Sequence, residues 1–243
     1  KAGLRGIIRA ANEISQKAND PHLDYDGFKD AAERSLLALL DDGTAGQPML
    51  LADIIPDMRE RMLNRTADSK GGLLTGFVDL DNLLSGLRPG ELTVIAARPS
   101  MGKTALGLNI AVNAALRQNQ ATAIFSLEMG MDSLVDRIVS SETGINSFNI
   151  RNGYLGAADK QSIHDCLMNL AAAPLIIDEL SQLTPLELKS KCRRLKQKHD
   201  LQLVVVDYLQ LMHCPESENR LQEVSVISRQ LKALARELHI PVI

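Results

Sequence analysis

The run Ala97-Arg98-Pro99-Ser100-Met101-Gly102-Lys103-Thr104 carries the clearest chemistry in the chain. It has the form GxxxxGK(S/T), with Ala at the first position, where only a small residue is needed. An apolar strand-like run precedes it and a helix-like run follows. In such a turn, successive backbone N–H groups face inward at a phosphate, and the helix N-terminus adds its positive dipole end. Gly102 permits close approach, the Lys103 ammonium meets the β- and γ-phosphates, and the Thr104 hydroxyl can ligate Mg²⁺. Ala97 to Thr104 are therefore expected to bind ATP, and Lys103 is a catalytic candidate as well.

Two further carboxylate positions matter. Asp207 ends the apolar run Leu203-Val204-Val205-Val206, where an acid can hold Mg²⁺ through its water shell. Hydrolysis also needs a group to orient and deprotonate the attacking water, and an acid at the carboxyl edge of a neighbouring strand would serve. Glu128 follows Ile124-Phe125-Ser126-Leu127, and Asp178-Glu179 follow Leu175-Ile176-Ile177. The pattern of residues leaves both choices open.

These side chains need a scaffold of alternating strands and helices. Candidate strands are Leu92 to Ala97, Ala121 to Leu127, Pro174 to Ile177, Leu203 to Val206 and Pro241 to Ile243. Their continuous apolar, β-branched runs suit a parallel sheet buried on both faces. Thr184-Pro185-Leu186-Glu187 opens a helix reaching His199, with a capping box and Pro at its first position. Ahead of this core, Lys1 to about Leu40 has helical periodicity broken at Asn19-Asp20-Pro21, which suggests a helical hairpin. Leu50, Leu51, Ile54, Ile55, Met58 and Met62 then form an apolar stripe on one helix, packed on its own chain or on a neighbouring subunit. Ser69-Lys70-Gly71-Gly72 reads as a flexible joint. The expected organisation is thus a helical segment over 1–46, a linker over 47–70 and an α/β nucleotide-binding core over 71–243. Both ends look cut, since the chain starts within a helix and stops within a strand.

The totals limit the partners. Of 243 residues, 45% are hydrophobic and 23% charged, and the net charge of -3 gives no general attraction for phosphate backbones. Any DNA contact must be local. Cys166, Cys192 and Cys214 are far apart and odd in number, which fits reduced thiols rather than a disulfide framework or zinc site. No apolar run approaches the roughly 20 residues that span a bilayer, so a cytoplasmic, membrane-free protein is expected. Lys189, Lys191, Arg193, Arg194, Lys196 and Lys198 occupy several faces of one helix and read as a solvated exterior.

The motifs AARPSMGKTA (Ala96 to Ala105), FSLEM (Phe125 to Met129), VVVDYLQLM (Val204 to Met212) and ISRQLKALARELHIPVI (Ile227 to Ile243) closely resemble the bacterial replicative DNA helicases of the DnaB type. Thr75-Gly76-Phe77, Leu80-Asp81 and Gly86 to Gly90 resemble RecA-like ATPases more broadly. The resemblance extends over nearly the whole chain and implies a RecA-like P-loop core preceded by the closing hairpin of an N-terminal domain and a linker helix. It places Glu128 on the family's water-activating glutamate and leaves Asp178 and Glu179, where the family usually has two aspartates, without a catalytic role. It also implies a homo-hexameric ring translocating 5'-3' on single-stranded DNA, cooperation with primase and a helicase loader, and association with the bacterial nucleoid during replication. By the same resemblance the arginine finger and main DNA loop lie beyond Ile243, and the loop Cys214 to Gln222, with Arg220 as its one cation, faces the DNA channel. Alternatives are a RecA-like recombinase ATPase and a nucleotide-binding assembly module for primase or loader.

Overall fold

A strand that is apolar along its whole length has no face to give to water, so helices must cover both sides of the sheet. A computed structural model shows this arrangement. It describes residues 50–64, 71–98, 100–214 and 219–243, together with Ser15 and Ala32. The expected helical hairpin falls outside the described residues. The chain divides at Ser69/Lys70 into two units.

In the first unit, helix α1 spans Leu51–Leu63. It leaves Leu51, Ile55, Met58 and Met62 exposed along one stripe. Near the start of the second unit, at Gly72, two backbone segments approach closely. Leu73 and Leu87 form an antiparallel bridge, and a Cβ on Gly72 would lie 2.5 Å from the Leu87 carbonyl oxygen. Glycine serves here to let two backbones touch.

From there the order is α2 (Val78–Leu84), α3 (Lys103–Val112), β1 (Thr122–Ser126), α4 (Met131–Thr143), α5 (Ser147–Asn152), α6 (Ala157–Ala172), β2 (Leu175–Glu179), α7 (Pro185–His199), β3 (Leu203–Asp207) and α8 (Arg220–Leu238). A π-helical turn, Asn113–Arg117, extends α3. The sheet order is β2-β1-β3, all parallel. Every residue of β1 is buried, as a central strand requires. Its register aligns Ser126 with Glu179 on one side and with Asp207 on the other, so three polar residues share one row at the carboxyl edge.

Residues 241–243 continue the sheet beyond β3. The Ile243 N–H donates to the Val204 carbonyl at 2.8 Å, and the Val206 N–H donates to that of Ile243 at 2.9 Å. Glu91 to Thr93 pair on their far side, with the Thr93 N–H donating to Val242 at 2.8 Å. The strand expected over Leu92 to Ala97 is thus paired only at its start.

Side-chain alternation splits the core between the two faces. Ala123, Phe125 and Val204 pack with Leu188, Cys192, Ile227 and Leu231 of α7 and α8. Ile124, Leu203 and Val205 pack with Leu108, Ala111, Leu134 and Ile138 of α3 and α4. The capping box of α7 forms as the sequence suggests. The Glu187 N–H donates to the Thr184 hydroxyl at 3.2 Å, and the Thr184 N–H donates to the Glu187 carboxylate at 3.0 Å. In α8 the residues Ile227, Leu231, Leu234 and Ala235 are buried at helical spacing.

Candidate functional site

The loop between Ala97 and Lys103 coils through two left-handed residues, Ser100 at φ 64° and Gly102 at φ 86°. Among the described residues, a Cβ on Gly102 would meet no atom within 4 Å beyond its chain neighbours. The conformation, rather than crowding by the protein, is what calls for glycine there. Helix α3 starts at Lys103 with no side-chain cap, so its first N–H groups and its positive dipole end stay available at the loop.

Tertiary folding carries Asp207 to this point across 103 residues of chain. The Thr104 hydroxyl donates to Asp207 Oδ2 at 2.7 Å, and Lys103 Nζ lies 3.5 Å from Asp207 Oδ1. The Asp207 side chain is 11% exposed and that of Lys103 27%. Lys103 Nζ also sits 3.5 Å from the centroid of the Tyr208 ring, a cation–π contact. An acidic and an aromatic surface therefore hold the loop lysine together. A cleft opens beside them, walled by Val94, Ile95, Val205 and Ile243 and reaching Lys103 and Thr104.

The three candidate water-activating acids have different surroundings. Asp178 is committed to Lys191 of α7, at 2.7 Å between Oδ2 and Nζ. Glu179 Oε2 accepts the Met131 N–H of α4 at 2.8 Å. Glu128 is exposed, and among the described residues its carboxylate has no hydrogen-bond or ion-pair partner. It stands on the turn between β1 and α4, next to the row that contains Asp207.

Ala97, Arg98, Ser100 and Met101 are exposed along the loop, while Pro99 lies outside the described residues. Arg220 is ion-paired with Glu223. Glu223 is buried, and it also accepts the Cys214 N–H at 2.9 Å and approaches His213 Nδ1 at 3.2 Å. The backbone donor, followed by the Arg220 guanidinium, holds its carboxyl below the usual range.

Residues 72–243 match the DnaB-like helicase C-terminal domain. The chain belongs to the DnaB-like helicase family. The replicative DNA helicase DnaB of Geobacillus stearothermophilus is 41% identical over 248 residues, covering 100% of this chain and 54% of that protein. The replicative DNA helicase DnaC of Bacillus subtilis (strain 168) is 38% identical with the same coverage. The chain thus spans about half the length of these relatives. Among solved structures, a DnaB-like replicative helicase described with its interactions with primase superposes with a TM-score of 0.79 at 26% identity, covering 99% of this chain and 56% of that one. A second solved structure, of an ATPase domain, gives 0.75 at 28% identity, covering 81% of this chain and 70% of that one. The core is accordingly a RecA-like α/β ATPase fold of the DnaB-like kind. Among the described residues no helix is long and apolar enough to cross a membrane.

Three residues near this DnaB-like core make contacts that the linear pattern did not signal, although Glu179 itself was a candidate acid. Tyr208 touches the loop lysine, Glu179 caps a helix from another strand, and Glu223 gathers the ends of the loop after β3. Each acts through a partner distant in sequence or on another element. Only the position of Tyr208, directly after Asp207, could have flagged it.

Proposed function

We propose that this chain is the ATP-driven motor of a replicative DNA helicase. The observation that carries the proposal is the meeting of Thr104, Lys103 and Asp207 at the start of α3. Thr104 Oγ1 and Asp207 Oδ2 are hard oxygen donors side by side, the kind that Mg²⁺ accepts while keeping part of its water shell. The Thr104 hydroxyl can keep donating its proton to Asp207 while offering a lone pair to the metal, which suits Asp207 to a contact through water. Bound Mg²⁺ supplies positive charge to the phosphate oxygens.

On nucleotide binding Lys103 exchanges the Asp207 carboxylate and the Tyr208 ring for the β- and γ-phosphates. The backbone from Ala97 to Thr104, Arg98, Pro99, Ser100 and Met101 included, wraps the phosphate chain, and the α3 N-terminus faces it. Glu128 orients and deprotonates the attacking water. Support for this choice is local, because Asp178 and Glu179 are engaged and Glu128 is not. The reaction is phosphoryl transfer to water, driven by positioning and charge stabilisation.

In this reading single-stranded DNA is the track, a homo-hexameric ring the working assembly and the cytoplasm at the nucleoid the location, as the resemblance to DnaB-type helicases implies. The relative described with primase supports primase as a partner, and a loader would place the ring on DNA. Arg220 is a DNA contact in this reading, with a side chain 56% exposed that would share its charge between Glu223 and a phosphate. The core test is Lys103→Ala in the full-length protein. ATP binding, DNA-stimulated turnover and fork unwinding should all be lost. Unchanged turnover would sink the assignment of the loop.

A further inference from the structure

We infer that Glu179 is a positioning residue for Glu128. The inference rests on the proposed water-activating role of Glu128 and adds a residue to that same site.

Glu128 projects from the short turn 127–130, and no other side chain holds its carboxylate among the described residues. Its placement is therefore set by how firmly the turn is pinned. The near end is fixed by the sheet, where the Leu127 N–H donates to the Asp207 carbonyl at 2.8 Å. Ser126 tightens the turn from within. Its hydroxyl donates to the Met129 carbonyl at 2.7 Å and accepts the Met129 N–H at 3.2 Å. The far end runs into α4, whose N-cap is Gly130 and has no side chain to close the helix.

Glu179 fills that role from a different strand. It faces Ser126 across the β1–β2 register, and its Oε2 accepts the N–H of Met131, the first residue of α4. A Cβ on Gly130 would lie 3.5 Å from Glu179 Oε1, so the carboxylate rests directly against the turn. An anion at a helix N-terminus is also favoured by the helix dipole. Glu179 is thus the one side chain from another element that, among the described residues, ties the far end of the turn to the sheet. Asp178, one residue earlier, turns the other way, to Lys191. Loosening the far end moves Glu128 relative to Asp207 and the phosphate loop, and misplacement by about 1 Å can cost up to about a hundredfold in rate.

The test uses the full-length protein with ATP, Mg²⁺ and single-stranded DNA. Glu179→Ala should lower kcat about ten- to a hundredfold, with KM and the affinity for a fluorescent ATP analogue little changed. Glu179→Gln should restore most of the rate, because its amide oxygen can still accept the Met131 N–H. Met131→Pro removes the same hydrogen bond from the donor side at a position where proline suits a helix, and should repeat the kcat loss. The inference is overturned if Glu179→Ala and Met131→Pro keep wild-type kcat. It is equally overturned if their losses come with weakened nucleotide affinity and no rescue by Gln. Glu128→Gln, run alongside, separates the two ideas. If that variant turns over normally, the role of Glu128 itself falls. If it is slow while Glu179→Ala is not, only the positioning role falls.

Discussion

Asp207→Asn should separate the two tasks assigned to Asp207. In the structure its carboxylate faces the Lys103 ammonium at 3.5 Å and accepts the Thr104 hydroxyl at 2.7 Å. At an effective dielectric of about 20, two unit charges at this separation attract by about 5 kcal/mol. Lys103 is 27% exposed, so water returns much of that energy when the pair separates, leaving a net ~1–2 kcal/mol. Wild-type protein must give this up when Lys103 turns to a phosphate. The Asn variant keeps the side-chain oxygen for Thr104 but releases the lysine. Without Mg²⁺, it should bind ATP as tightly as the wild type or up to about tenfold more tightly, since about 1.4 kcal/mol is a factor of ten. With Mg²⁺ the order should reverse, because the added affinity and the turnover that depend on the metal are lost. Titration of a fluorescent ATP analogue with and without excess chelator measures both. Equal losses of affinity in the two conditions would refute the argument, since Asp207 would then hold the loop itself rather than the metal.

Glu128→Gln should bind ATP normally and hydrolyse it about 10²–10⁴-fold more slowly in single-turnover assays; a rate close to wild type would return the role to another acid. The burial of Cys192, and after it the nearby Asp178, push its thiol up to about 12, so it should resist alkylation at neutral pH in the native state. Cys166 is only partly buried and should react first; mass mapping that found Cys192 labelled before it would contradict the packing of α7 on the sheet. The lowered carboxyl of Glu223 binds a proton more readily in the unfolded chain than in the folded one. Its stabilising contribution should be complete above the ordinary glutamate range and fade as pH falls through the lower folded value. The difference in thermal stability between wild type and Glu223→Gln should therefore narrow on acidification, and a gap that widened would reverse the sign argued here.

The form of the loop over 97–104 was legible in sequence because it is local. Gly102 takes a left-handed turn and Lys103 and Thr104 begin α3, so eight consecutive residues specify the feature. The α7 capping box and the three parallel strands were legible for the same reason, each resting on contacts a few residues apart or on an unbroken apolar run. The resemblance to DnaB-type helicases also came from contiguous motifs, and the family match over residues 72–243 agrees with it.

What sequence could not decide was the partner of each carboxylate. Glu128, Asp178, Glu179 and Asp207 all end apolar runs, and as a linear pattern they are equivalent. The parallel register separates them. It sets Asp207 against Thr104, turns Asp178 to Lys191, lends Glu179 to the start of α4 and leaves Glu128 facing solvent. Even the segment before the loop finds its sheet partner far away in the chain, since Glu91 to Thr93 pair with Val242. The residue types came from the sequence alone. Their division of labour is a property of the sheet, because hydrogen bonds and ion pairs act over a few ångströms and only folding brings groups so far apart in the chain within that distance.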